Sequence, residues 1–106
     1  MRLEIDLAAE QVLAAERGTE HIAVEIKSFL SKSKLNDFYE AKGQYDVYRT
    51  GLREENSLRK LYLAVDADIF QSFFQKFLIS KVMEEDAISV LVFEASTKRI
   101  VQWINR

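Results

Sequence analysis

Two oppositely charged side chains, Glu25 and Lys27, stand two positions apart in the run from Ile22 to Phe29. Side chains alternate between the two faces of a strand, so this pair would share one face while the aliphatic side chains occupy the other. A strand does not need such a pair in order to fold. Two interpretations follow: an ordinary charge pair on a half-exposed strand, or a metal-binding carboxylate beside a catalytic lysine.

A second carboxylate, Asp6, lies in an earlier alternating run, Leu3 to Leu7, which predicts a short strand. We expect Asp6 and Glu25 to lie on strands of one sheet, with side chains on a shared face. Mg²⁺ is typically bound through one or two carboxylates plus water and phosphate oxygens, so Asp6 and Glu25 would suffice as ligands for Mg²⁺ or Mn²⁺. Lys27 would then orient an attacking water or stabilise the charge that builds on phosphorus.

Composition restricts the other kinds of chemistry. The chain has 106 residues, no cysteine and a single histidine, His21. Disulfides, thiolate metal sites, cysteine nucleophiles and histidine-rich metal sites are thereby excluded, so any metal must be held by oxygen. The length predicts one domain, residues 1–106. The sequence offers neither a bilayer-spanning apolar run nor a secretory signal, so we expect a cytoplasmic protein with no membrane partner.

Charge is distributed unevenly along the chain, although the net charge is only -2. Residues 1–26 carry a net charge of -4, residues 27–60 carry +3, and the remainder carries -1. The basic middle third fits either a solvated helix face or a patch that faces phosphate groups.

The clearest helix is predicted from about Leu35 to Glu54, where apolar residues are spaced by three, four and seven. Glu40 suits the positive end of its dipole. Gln44 and Tyr48 lie one turn apart and would face the same site, where they would contact a phosphate or a base. Gly43 costs up to about 1 kcal/mol relative to alanine, so it requires a reason, and packing against the sheet is favoured over approach to a ligand.

The start of the chain contains one ambiguous stretch, Ala8 to Glu16. Its alanine content favours a helix, whereas the short link through Gly18 into the next strand favours a hairpin, which is the preferred interpretation.

The second half of the chain continues an α/β pattern. The apolar run Leu61 to Val65 predicts a strand covered on both faces. Asp66 is expected to cap a second helix whose broad apolar face extends to Leu78. The chain then closes in a predicted hairpin, Ile88 to Glu94 and Ile100 to Ile104, with Trp103 packed on the sheet edge.

Three stretches together carry a resemblance to a known family: AVEIKSF at 23–29, DFYEAKGQY at 37–45 and LYLAV at 61–65. They resemble XisH, the fdxN element excision controlling factor of cyanobacteria, over essentially the whole chain. That family in turn resembles the PD-(D/E)xK nuclease superfamily, with an aspartate on one strand, Glu-x-Lys on the next and often Gln-x-x-x-Tyr on the following helix. The resemblance implies an α/β fold with a mixed central sheet flanked by helices. It also implies that Asp6, Glu25 and Lys27 are catalytic and that Gln44 and Tyr48 bind substrate.

The resemblance implies a role in programmed excision of a DNA element during heterocyst development, together with the partner protein XisI. Two functions are consistent with it. One is a nuclease-like protein that hydrolyses DNA phosphodiesters with Mg²⁺ or Mn²⁺ held by Asp6 and Glu25. The other is a non-catalytic interaction protein that keeps the fold and binds XisI, a recombinase or DNA.

The sequence departs from the family's pattern at its start. Family members usually begin with a further segment that includes a helix packed on the sheet, whereas this chain starts at the first predicted strand. We therefore expect one face of the sheet to be exposed, which would favour a partner or a homodimer.

Overall fold

The computed structural model describes residues 12–106, so Asp6 and the predicted strand Leu3 to Leu7 lie outside the described residues. The elements, in chain order, are β1 (Val12–Arg17), β2 (Glu20–Ile26), α1 (Lys34–Glu54), β3 (Lys60–Asp66), α2 (Ala67–Ser72), α3 (Phe77–Glu85), β4 (Val90–Glu94) and β5 (Arg99–Ile104). The five strands form one mixed sheet in the order β1-β2-β3-β4-β5. The outer pairs, β1 with β2 and β4 with β5, are antiparallel, and the two inner pairings are parallel. The predicted α/β fold with helices flanking a mixed sheet is confirmed.

The first hairpin joins β1 to β2, and for residues 12–16 it confirms the preferred interpretation of the ambiguous stretch, whose first four residues lie outside the described residues. Gly18 has a φ of 61°, and it is followed by Thr19 before the strand resumes. Positive φ at the first central residue is the pattern of the type II′ turn, whose twist matches that of the two strands it connects. Val12 is paired with Glu25, and Arg17 with Glu20.

Helix α1 starts and ends close to the predicted positions. Ser33 caps its first turn, since the Ser33 hydroxyl accepts a hydrogen bond from the Asn36 backbone amide at 3.1 Å. The packing explanation for Gly43 is wrong. Gly43 is exposed, and a methyl group added there would meet no atom of residues 12–106 within 4 Å.

Both faces of the three central strands, β2, β3 and β4, are buried, so for the described residues the expectation of an exposed face is wrong. On the helix side, odd-numbered residues of β3 such as Leu61 and Val65 pack with α1, α2 and α3. On the other side, strand residues form a second cluster that includes Val24, Tyr62 and Phe93, each fully buried. As predicted, β3 is covered on both faces, because Leu61 to Val65 are all buried.

The predicted second helix is two helices, α2 and α3, separated by residues 73–76. Asp66 caps α2 as expected, accepting a hydrogen bond from the Asp68 backbone amide at 2.9 Å. The break lets the adjacent rings of Phe73 and Phe74 both enter the core, whereas neighbours on a continuous helix point about 100° apart. As a result Phe77, predicted to lie on the apolar face, is 76 % exposed.

The sheet curls strongly enough to bring its two edge strands together. The Arg17 guanidinium of β1 lies 4.1 Å from the ring centroid of Trp103 on β5. Trp103 in turn packs edge-on against Tyr62, with centroids 5.1 Å apart, as the sequence predicted for a tryptophan on the sheet edge. In the part of the chain that the structure describes, no helix combines the length and apolar character needed to cross a membrane.

Candidate active site

Glu25 lies near the centre of the sheet, where β2 is flanked by β1 and β3. Its Cα partners are Val12 on one side and Leu63 on the other. The Glu25 and Lys27 side chains face the helices and are each only 2 % exposed. The interpretation of a half-exposed strand with an ordinary surface charge pair is therefore wrong, because α1 covers the face on which these two residues lie.

The Lys27 ammonium is held from above by α1. Lys27 Nζ donates a hydrogen bond to Glu40 Oε2 at 2.9 Å, an ion pair in which the Glu40 side chain is 62 % exposed. The Lys27 backbone amide also donates to the Ala64 carbonyl oxygen at 3.2 Å, which extends the pairing of β2 with β3. The lysine therefore has its stem in the core and its charged end at the margin of the helix, where solvent reaches its partner.

Burial of two ionisable groups in the core is costly in free energy. Charged groups are rarely buried unless they are paired and hydrogen-bonded, and apolar side chains of similar size would pack there at lower cost. Neither residue is required by the strand pattern, since an aliphatic side chain at Glu25 would continue the cluster that contains Ala23 and Leu63. Buried ionisable groups of this kind are concentrated in functional sites.

Gln44 and Tyr48 follow Glu40 at successive intervals of four on α1, so the three residues share one stripe of the helix. Gln44 is half-buried. Tyr48 is also half-buried and packs against the main hydrophobic cluster. A substrate-binding role for these two residues stays a prediction.

Tyr45, next to Gln44, is the most deeply buried of the three tyrosines of α1. Its hydroxyl donates to the Leu61 carbonyl oxygen at 2.9 Å and accepts from the Ser89 backbone amide at 3.3 Å. Burial raises the pKa of the Tyr45 phenol, and the negative charge of Glu25 adds to this effect. Tyr45 thus joins α1 to β3 and to Ser89, the residue that precedes β4. These hydrogen bonds hold α1 in place over the candidate site.

The predicted metal site consists of two carboxylates, Asp6 and Glu25, and the structure describes Glu25 only. Within residues 12–106, no cluster of three or more His, Cys, Asp or Glu is arranged to hold a metal ion. Glu25 provides carboxylate oxygens of the type that Mg²⁺ and Mn²⁺ prefer. The predicted second ligand, Asp6, lies outside the described residues, so the metal site stays a prediction.

Glu40 is the site residue that the sequence analysis missed. Its acidic side chain was explained by the helix dipole alone, whereas the structure pairs it with Lys27. The spacing of residues along α1 could have identified Glu40. If Gln44 and Tyr48 face one site, then Glu40, one turn earlier on the same stripe, must face it too.

Comparison with known proteins gives a consistent result. A model of the family described as XisH protein matches residues 1–101. A crystal structure of an XisH family protein from Nostoc punctiforme is similar, with a TM-score of 0.85 and 40% sequence identity, covering 89% of this chain and 74% of that one. A crystal structure of an fdxN element excision controlling factor protein from Anabaena variabilis has a TM-score of 0.84, also at 40% identity, with the same 89% and 74% coverage. No curated protein sequence matches the chain.

Proposed function

Since the chain belongs to the XisH family, we propose that it is a DNA element excision controlling factor that acts on DNA through the site around Glu25 and Lys27. The relative from Anabaena variabilis carries that description, and the two chains share 40% sequence identity and a common fold. Fold similarity alone does not determine activity, so the proposal rests on the site.

The observation that carries the proposal is the burial of the acidic and the basic side chain beneath one helix. Glu25 and Lys27 are both 2 % exposed, and Lys27 is oriented by the carboxylate of Glu40 at 2.9 Å. An oriented ammonium group beside a carboxylate is suited to stabilising the negative charge that develops on a phosphodiester during hydrolysis. In this role Lys27 would contact the phosphate, and Glu40 would position Lys27.

The proposal includes Mg²⁺ or Mn²⁺ held by Asp6 and Glu25. When bound, such an ion would supply Lewis-acid stabilisation of the phosphate oxygens. Gln44 and Tyr48 would contact the DNA strand along the outer part of the α1 stripe, through a phosphate or a base. The specific reaction proposed is metal-dependent hydrolysis of DNA phosphodiesters.

The test is cleavage of supercoiled plasmid and branched DNA by the purified protein with Mg²⁺ or Mn²⁺. We expect cleavage by the wild type and at least a hundredfold loss, about 2.7 kcal/mol, in Lys27→Met and in Asp6→Asn. Lys42→Gln is the matched control, because it also removes an ion-paired lysine, and Lys42 lies on α1 and pairs with Asp86 rather than with Glu40. Circular dichroism must first show that each variant is folded. Cleavage that persists in Lys27→Met and Asp6→Asn would rule out the assignment.

A second function is favoured by the inaccessibility of the lysine. Because Lys27 is 2 % exposed and is engaged by Glu40, the same arrangement is compatible with a retained but inactive site. In that case the protein would act by binding XisI, a recombinase or DNA without cutting the DNA. Co-purification with XisI by the wild type and Lys27→Met alike, without DNA cleavage, would favour this function over hydrolysis.

A further inference from the structure

A cavity of about 310 Å³ lies at the opposite end of α1 from Glu40. It is bounded by the last turns of α1, the loop that leads to β3, and the residues at the amino ends of β3 and β4. Leu52 and Leu61 provide part of an apolar wall, and the buried ring of Tyr45 also lines the cavity. The volume is at the lower end of the range for small-molecule binding sites.

The charge of the cavity is one-sided. Five of its eleven lining residues are basic and none is acidic; the basic ones are Arg49, Arg53, Arg59, Lys60 and Arg106. Within residues 12–106, Asp46 is the single carboxylate in ion-pair distance of any of the five, at 3.3 Å from Arg49. Four of the eight basic residues in the middle third of the sequence, together with Arg106, thus line one concavity.

Backbone carbonyl groups hold these guanidinium groups in place. Arg49 donates to the carbonyl oxygens of Asp86 and Ala87 at 2.9 and 3.2 Å. Arg59 donates to those of Ala15 and Ile22 at 3.0 and 2.9 Å. A carbonyl oxygen accepts a hydrogen bond without neutralising the positive charge, so Arg59 is oriented while its charge remains available to an anion. Arg49 is oriented in the same way, and it shares its charge with Asp46.

The dipole of α1 does not account for this accumulation of charge. Its carboxyl end lies near the cavity and favours Arg53 in the last turn. A helix terminus is equivalent to roughly half of one negative charge, which is far less than five cations. Arg59 and Lys60 moreover come after the helix, in the loop and in β3.

We propose that this cavity binds the phosphate group of a nucleotide. Guanidinium groups match phosphate oxygens with paired hydrogen bonds, and they are the preferred residues for this recognition. The apolar wall formed by Leu52 and Leu61 would contact the base or sugar that the phosphate carries. The nucleotide is either free or the 5′-phosphorylated end of a DNA strand, since both present the same group.

This site is distinct from the one around Lys27, because its lining includes neither Lys27 nor Glu40. The two sites adjoin on α1, where Tyr45 and Arg49 of the cavity follow directly after Gln44 and Tyr48. Glu40 and Arg53 are 13 residues apart on α1, which corresponds to about 20 Å along the helix axis. Binding to the cavity requires neither Lys27 nor a metal ion. A DNA cleavage experiment therefore neither supports nor contradicts nucleotide binding in this cavity.

The test is titration calorimetry without divalent metal, at low ionic strength. The probes are AMP, adenosine, and a short oligonucleotide with either a 5′-phosphate or a 5′-hydroxyl group. Arg49→Gln/Arg53→Gln removes two charges from one face of α1, and Lys81→Gln/Lys98→Gln removes two exposed charges elsewhere as a control. If the first double variant is not folded, Arg53→Gln replaces it, because the Arg53 side chain is exposed and, within the described residues, hydrogen-bonds only to the Thr50 hydroxyl.

We expect saturable binding of AMP or of the 5′-phosphorylated oligonucleotide, at least about tenfold weaker in the cavity variant and unchanged in the control. Binding of AMP would identify a free nucleotide, whereas binding of the phosphorylated oligonucleotide alone would identify a strand end. The proposal is overturned if neither binds, or if adenosine and the 5′-hydroxyl oligonucleotide bind equally well. It is also overturned if the control variant loses as much affinity as the cavity variant.

Discussion

Lys27 Nζ and Glu40 Oε2 lie 2.9 Å apart, and the two side chains differ sharply in exposure, at 2 % for Lys27 and 62 % for Glu40. The exposed Glu40 carboxylate therefore forms an ion pair with a lysine that is otherwise enclosed by the sheet and α1. Such a pair has two consequences that can be separated by experiment, one for stability and one for the orientation of Lys27.

Glu40→Gln is expected to reduce the free energy of unfolding by about 1–2 kcal/mol, because a hydrogen bond between charged groups is lost at a buried lysine. The value is kept below that of a fully buried pair by solvent around Glu40. Glu54→Gln, an exposed change on the same helix, should alter stability by less than about 0.5 kcal/mol. Urea denaturation of both variants measures the difference. Equal stability of the two would show that the ion pair contributes nothing.

Tyr45→Phe is expected to cost about 2 kcal/mol at neutral pH. The change removes the partner of the Leu61 carbonyl and of the Ser89 amide, both buried. Tyr39→Phe is the control, since Tyr39 is 60% exposed. Thermal unfolding should show a clear fall in Tm for Tyr45→Phe and almost none for Tyr39→Phe.

Stability should also decline at alkaline pH. Burial raises the pKa of Tyr45 and of Tyr62 above that of a tyrosine in the unfolded chain. Below about pH 10 both states are protonated, and above it the unfolded state ionises first, so the free energy of unfolding falls as pH rises. The fall should be shallower in Tyr45→Phe, although Tyr62 still contributes. An identical pH dependence in the wild type and Tyr45→Phe would contradict this assignment.

Replacement of Gly18 and of Gly43 by alanine should change the free energy of unfolding in opposite directions. Gly18 has a φ of 61°, which alanine adopts only with strain, so Gly18→Ala should destabilise by about 1 kcal/mol. Gly43 lies in the interior of α1 with open space around it, so Gly43→Ala should stabilise by up to about 1 kcal/mol. Chemical denaturation of both variants tests the pair. Destabilisation by Gly43→Ala would mean that this glycine serves a purpose beyond packing.

Periodicity was sufficient to predict α1, β3 and the closing hairpin, whereas the first hairpin was predicted from the short link through Gly18. These elements bury either one face or both faces, and each kind of burial produces a characteristic spacing of apolar residues in the sequence. The break between α2 and α3 left no such mark, because the aromatic run around Phe73 and Phe74 fits a continuous apolar face equally well. The break is instead determined by the space available beside Phe29 and Phe38, where both rings pack.

The candidate site was predicted in part. Glu25, Lys27 and Asp6 were identified from their positions on predicted strands. Gln44 and Tyr48 were identified from their spacing on the predicted helix, and the resemblance to a nuclease pattern implied roles for all five. The depth of burial of Glu25 and Lys27 was not predictable, because it depends on where α1 crosses the sheet. The pairing of Lys27 with Glu40 depends on the same crossing, since the two residues are 13 positions apart in the chain.

The order of the strands also bears on how the chain folds. β1 with β2 and β4 with β5 are joined by short turns, so each pair forms between neighbours in the sequence. The pairing of β2 with β3 requires that the whole of α1 be traversed first, and such distant contacts form slowly. We therefore expect the two hairpins to gain protection first in pulsed hydrogen exchange, and the β2–β3 seam last. The Glu25–Lys27 site, which lies along that seam, would then exist only once the molecule has completed its folding.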